Sequence, residues 1–271
     1  MSYSSKTLFT PVTEIAPCEK RLSICLRANG FSFSEVSADG VLLTFGDAEG
    51  VHSPTMTGVM TEVKAYFASV GIQPIGYSSM ELVVLTDNHA WVPDELYLPA
   101  AHRQYLRLVG SDAVSILAAP CKPLASTAVF AANDTVVTAF KIALPGLVVT
   151  NQHAHVVALA PLSADHPILF AHWRKGRVDY AAFREGRYLF GNTIAYADDN
   201  EALFHTIEIV KSFALETPTT ELLLCGEVDR DRYAQLRPYF PKVTLFTGHI
   251  RGFANPALKT LHTYRHALIL I

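Results

Sequence analysis

The stretch LSICLRANGFSFSEVSADGVLLTF, Leu22 to Phe45, decides the fold class of this 271-residue chain. Leu22, Ile24 and Leu26 alternate with Ser23, Cys25 and Arg27, the period of a strand that buries one face. Asn29-Gly30 then predicts a two-residue hairpin turn. Both central positions of such a turn take positive φ, which Asn and Gly tolerate and β-branched residues do not. Asp39-Gly40 repeats the signal ten residues on, so the stretch reads as three antiparallel strands. A second stretch, ILFAHWRKGRVDYAAFREGRYLFG from Ile168 to Gly191, reads the same way without a gap, Gly30 falling on Gly176 and Gly40 on Gly186. A repeat on this scale marks a duplicated unit.

Working outward, each meander is followed by an amphipathic helix. Ser53-Pro54 supplies a cap and a first-turn proline, and Met56, Val59, Met60, Val63, Phe67 and Val70 recur at helical spacing. In the second copy Asp198 and Glu201 form a capping box ahead of Leu203, Ile207, Val210 and Ala214. ELVVL from Glu81 and ELLLC from Glu221 lack alternation and suit central strands. Helical stretches follow over 94–109 and 229–240, and closing strands over 114–118 and 243–246. The unit is β-β-β-α-β-α-β, twice. Between the copies, TAVFAA, a helix capped by Asn133 or Asp134, and LVVT form an inserted segment over about 121–150. The domains are therefore expected at 1–163 and 164–271, with the boundary near Ser163 to Pro167. The closing RHALILI reads as a last buried strand.

Composition bounds the rest. Half of the residues are hydrophobic and 17% are charged, so the chain buries a large core and is not a disordered tail. A net charge of -3 leaves no basic footprint for nucleic acid or an anionic membrane. No apolar run approaches the roughly 20 residues of a membrane helix, and the opening residues lack the pattern of a signal peptide. Cys18, Cys25, Cys121 and Cys225 are scattered without a CxxC pair, which points to reduced thiols and a cytoplasmic setting.

A three-stranded meander followed by alternating helices and strands resembles the ribonuclease H-like unit. Two in tandem resemble the actin, Hsp70 and sugar-kinase superfamily. More closely, through LSICLRANGFSF, VPDEL at Val92, FGNTIAYADDNEAL at Phe190 and LLLCGEVDRD at Leu222, the chain is similar to an uncharacterised bacterial domain-of-unknown-function family, a reduced relative of that superfamily. The resemblance implies an α/β, two-lobed, actin-like ATPase fold. Active members carry hairpins of the type DxG[TS], in which the aspartate orients magnesium. The matching positions here are Leu26-Arg27-Ala28-Asn29-Gly30 and Trp173-Arg174-Lys175-Gly176, without either aspartate. The adenosine loop of active members matches Leu224-Cys225-Gly226-Glu227, where one glycine remains.

Asn29, Gly30, Lys175, Gly176 and Gly226 are thus the candidate cleft positions, with no catalytic and no metal-binding residue assigned and no support for ATP and magnesium as cofactors. Losing one preorganised stabilising group typically costs about 10²- to 10³-fold in turnover, and several are missing together. The expectation is a non-catalytic pseudo-ATPase that works by binding a protein partner or ligand. The alternative is a divergent kinase or ATPase in which Glu35, Asp179 or Lys175 replaces the lost groups, and it requires a carboxylate close to Gly30 and Gly176. A third reading is a pilus-assembly or cell-division scaffold with an apolar groove or free strand edge between Thr127 and Thr150.

Other chemistry-bearing residues have plain readings. Arg174, Lys175 and Arg177 read as a solvated hairpin tip, with phosphate binding as the alternative. His153-x-His155 and His262-x₃-His266 are pairs spaced to share a face, each short of a third metal ligand. Cys25 and Cys225 read as small hydrophobes.

Overall fold

The structure is a computed structural model that describes residues 5–8, 20–28, 30–49, 55–73, 75–160 and 164–271. Asn29, the Ser53-Pro54 cap, Ser163 and Cys18 lie outside the described residues.

The first meander is β2 (Lys20–Arg27), β3 (Gly30–Ser37) and β4 (Val41–Glu49), edged by β1 (Ser5–Leu8). Helix α1 (Met56–Ser69) follows, capped by the Thr55 hydroxyl, which accepts from the Gly58 amide. Then come β5 (Tyr77–Val84), β6 (His89–Pro93), α2 (His102–Leu108), β7 (Ile116–Cys121), β8 (Ser126–Ala131), α3 (Asp134–Ala143), β9 (Val148–Asn151) and α4 (Gln152–Leu159). The second meander is β10 (Ile168–Arg174), β11 (Arg177–Arg184) and β12 (Arg187–Ala195), followed by α5 (Asp199–Ser212), β13 (Glu221–Gly226), α6 (Arg230–Leu236), β14 (Val243–Leu245) and β15 (Gly252–Phe253). Asn133, Asp198 and Asp229 cap α3, α5 and α6 through side chains that accept amide bonds three residues on.

Five strands run in the order β4-β3-β2-β5-β9 in one sheet and β12-β11-β10-β13-β14 in the other. In each, the meander is antiparallel and the last two strands join in parallel. β1 and β15 extend the first sheet beyond β4, and β6-β8-β7 forms a separate antiparallel sheet.

Three expectations require correction. The run at 114–118 does not close the first unit: β7 pairs with β8 in the small sheet, and β9 takes the fifth place beside β5. The segment 121–150 therefore supplies α3 and β9 to the main unit, while the extra material is β6 to β8. An apolar run signals a strand, but partner choice between two such runs is nonlocal. Ala267 to Leu270 of RHALILI are buried, but the segment is not a strand: it runs as 3-10 turns over Thr263–Ile269 with a kink at His266. The first turn is also one residue out of step: Gly30 is itself paired, with Arg27, whereas the second hairpin closes Arg174 on Arg177 around Lys175-Gly176. Strand pairing, not the glycine, sets the register, and it makes Arg27 and Arg174 the corresponding residues.

Both faces of the first sheet are covered. β3 is buried at all eight positions. On one face Phe31 and Phe33 meet Tyr66 and Phe67 of α1 edge-to-face, and Phe31 also meets Phe140 of α3. Each such side chain contributes about 1.5–3 kcal/mol by burial. On the other face the chain after β14 returns from the second lobe. Ser34 Oγ donates to the Ile269 carbonyl, and Leu258, Ile269 and Leu270 pack on Cys25, Val36 and Phe45.

Candidate functional site

A cleft of about 1420 Å³ opens between the lobes. Gly30, Lys175 and Gly226 all line it, together with Arg27, Asp47 and Asp87. Gly176 adjoins Lys175 but is not among the lining residues; its carbonyl accepts from the Tyr196 amide and the Arg177 guanidinium.

The hairpin arginines are engaged by acids. Arg27 donates to Asp47, which stands two strands away in the same cross-strand row as Cys25 and Ser32. In the second sheet the corresponding row is His172, Asp179 and Thr193. Asp179, 2% exposed, accepts from Arg174 through Nε and Nη2, both at 2.8 Å. It also accepts from His172 Nδ1 at 2.9 Å, Thr193 Oγ1 at 2.6 Å and Gln152 Nε2 at 3.1 Å. Burial alone would push this carboxyl up, but the His172 bond and the Arg174 guanidinium hold it well below the usual carboxylate range.

Arg174 also reaches across the cleft. Its Nη2 donates to Asp87 Oδ1 at 2.9 Å, and Arg177 Nε donates to Asp87 Oδ2 at 3.1 Å. Asp87 follows β5 of the first lobe, so this pair joins the lobes. Gln152, the first residue of α4, adds a second tie: its amide accepts from the Thr86 amide at 3.0 Å and donates to Asp179. The tip Arg174-Lys175-Arg177 is therefore not simply solvated. Lys175 is exposed, but both arginines are held in an interlobe network.

Other candidates separate. Glu35 is buried, bound to Lys20 at 2.8 Å and Tyr77 at 2.7 Å, and lies opposite Leu22 at the far end of its strand. It does not reach the Gly30 turn. Asp179 stands beside the second hairpin but has no open coordination. Residues 153 and 155 lie on a helix, where positions two apart point to opposite sides. Accordingly His153 meets Thr193 at 2.9 Å, while His155 meets Glu81 at 3.1 Å and the Leu268 carbonyl. His262 and His266 both line the cleft, the His266 ring meeting Phe45 at a tilt of 54° with centroids 4.4 Å apart. Among the described residues no group of three His, Cys, Asp or Glu side chains is placed to hold a metal ion. Burial pushes the Cys25 thiol up to about 12 and raises Cys225 as well, so neither is a ready thiolate.

The spacing arguments missed Asp47, Asp87, Gln152 and Thr193. Asp87 carried one usable signal, an acid just past an apolar parallel strand, where ligands of open α/β sheets gather. The others are defined by cross-strand pairing or interlobe contact.

The family model described as "Protein of unknown function (DUF3822)" matches residues 13–243. The chain belongs to the DUF3822 family. Its fold is the two-lobed actin-like ATPase fold: the DUF3822 chain is similar to a Bacteroides thetaiotaomicron protein with actin-like ATPase fold and unknown function, at 16% identity and a TM-score of 0.68 over 93% of this chain and 96% of that one. It is also similar to a chain of the PilM-PilN type IV pilus biogenesis complex, at 14% identity and a TM-score of 0.52 over 92% and 96%. A search of curated proteins finds no match. Among the described residues no helix is long and apolar enough to cross a membrane.

Proposed function

We propose that this DUF3822 protein is a non-catalytic member of the actin-like fold, derived from a duplicated unit, that acts by binding a partner. The observation that carries this reading is the pair of guanidinium groups at the two hairpins. A magnesium nucleotide requires carboxylate oxygens to hold the metal opposite the phosphates. Here the corresponding hairpin residues are Arg27 and Arg174, and the nearest acids already accept charge-assisted bonds from them. The donor set does not fit magnesium-ATP. Instead the arginines join the hairpins to their surroundings, and the Arg174–Asp87 pair spans the lobes, a position that a bridging ligand would otherwise fill. The free thiols Cys25, Cys121 and Cys225 agree with a reducing cytoplasmic setting. A PilM-PilN chain shares the fold, which is consistent with work through protein partners.

One observation favours the divergent kinase or ATPase as a second reading. Carboxylates do stand at both turns, Asp47 beside Arg27 and Asp87 beside Arg174 and Arg177. Isothermal titration and phosphate-release assays separate the two. The expected result is no saturable heat with millimolar magnesium-ATP and no release above background. Micromolar binding, with turnover abolished by Asp47→Asn or Asp87→Asn, would establish the enzyme instead.

A further inference from the structure

The duplicated rows beside the two hairpins differ in how far their polar atoms are used. In the second sheet the row is closed, because Asp179 accepts from His172, Thr193, Arg174 and Gln152 and has no lone pair left for a group from outside. In the first sheet the row Cys25, Ser32 and Asp47 is open. Phe31 and Phe33 turn toward α1, so Ser32 between them turns the other way, into the cleft that it lines. Ser32 is 3% exposed, and its hydroxyl makes no hydrogen bond among the described residues. A hydroxyl so deeply set is disfavoured without a partner, and since it opens on the cleft, its partner comes from there.

The neighbours of Ser32 state what that partner carries. Asp47 is its register partner on β4 and engages Arg27 through Oδ1 alone, while Arg27 engages Asp47 through Nη2 alone. Both side chains are half-buried and line the same cleft. Asp47 Oδ2 and Ser32 Oγ can therefore accept from one positively charged donor, and the remaining guanidinium N–H groups can donate to a carboxylate. A lone phosphate or carboxylate would meet Arg27 but be repelled by Asp47, and a lone amine would meet the reverse. A molecule with an ammonium and a carboxylate a few atoms apart satisfies both. We infer that this wall of the cleft binds a small zwitterion of the α-amino-acid type, its ammonium on Asp47 and Ser32 and its carboxylate on Arg27. No metal takes part, and in this the inference rests on the reading of the cleft as unsuited to magnesium-ATP.

Isothermal titration of the whole protein with each proteinogenic α-amino acid, in magnesium-free buffer, tests this. At least one saturates with a Kd of about 1 mM or tighter. Its analogues lacking only the amino or only the carboxyl group bind about tenfold more weakly or worse. Ser32→Ala, which disturbs no ion pair, weakens the amino acid about five- to tenfold, and Asp47→Asn about tenfold or more. Should Asp47→Asn fail to fold, Ser32→Ala and the analogues decide the matter on intact protein. No saturation by any amino acid up to about 10 mM overturns the inference. So does equal binding of the singly charged analogues, or an affinity indifferent to Ser32→Ala. Each of these outcomes leaves the non-catalytic reading standing, since the magnesium-ATP titration tests that separately.

Discussion

His89 and His153 stack with ring centroids 3.8 Å apart and planes 17° from parallel, both buried at the lobe junction. Burial pushes His89 down to about 4 from its ordinary value, and His153 is lowered well below its own by burial and then by His89. Asp179 opposes both shifts, and Arg174 and His172 reinforce that of His153. A base whose folded pKa is depressed is neutral in the native state while the unfolded chain takes up a proton. Stability is therefore complete above about pH 6.5 and is lost as pH falls from there toward 4. For His89 the loss approaches about 3 kcal/mol. Asp179 has the opposite chemistry but the same sign, since a depressed carboxyl stabilises above its unfolded value of about 3.9 and acts only at lower pH. Urea midpoints at pH 7 and pH 5 should thus differ, with the lower value at pH 5. His89→Phe keeps a flat ring on His153 and removes the buried Nδ1, which has no hydrogen-bond partner, so it should shrink the difference to the part that the buried His153 contributes. Equal wild-type midpoints at the two pH values would contradict this account.

At the scale of elements, the sharpest constraint lies where β13 leaves its sheet. Gly226 pairs with Trp173 and has φ +83°, and a Cβ there would stand 2.1 Å from the Trp173 carbonyl oxygen and 2.8 Å from the His172 ring. Backbone cannot yield as a flexible side chain can, and the positive φ adds strain. Gly226→Ala should therefore destabilise by about 3 kcal/mol or more, read as a lowered thermal midpoint, whether or not any ligand enters the cleft. A near-neutral result would mean that the strand end is not held against β10. Gly226 was legible in the sequence as a cleft position, but its requirement here is steric. The same contrast runs along the chain. Caps at Asn133 and Asp198 and the strand runs were legible because their signals are local. Three features were not: the choice of β9 over β7 beside β5, the return of 263–269 onto the first sheet, and the one-residue offset of the Gly30 turn. Each depends on which distant surface completes the packing.

For the whole molecule, the candidate site was legible as a place and not as a mechanism. Aligned hairpins located the cleft, and their missing aspartates were visible, but spacing could not reveal that Asp87 from one lobe meets Arg174 and Arg177 from the other. That contact, with the Gln152–Asp179 bond, ties the lobes through the protein's own side chains. A clamp of this kind opposes separation of the two hairpin regions that face the cleft. Small-angle scattering of the wild type should then superimpose with and without magnesium-ATP. Arg174→Ala severs the interlobe pair and leaves Asp179 buried without its guanidinium, at a cost of about 3–5 kcal/mol. It should raise the radius of gyration or loosen amide protection over residues 172–179. Should that variant unfold, Asp87→Ala removes both half-exposed interlobe ion pairs, to Arg174 and Arg177, and leaves Asp179 paired, so increased exchange at the same hairpin remains measurable in a folded protein. Compaction of the wild type by nucleotide, or unchanged exchange in Asp87→Ala, would show that these ion pairs do not set the separation of the lobes.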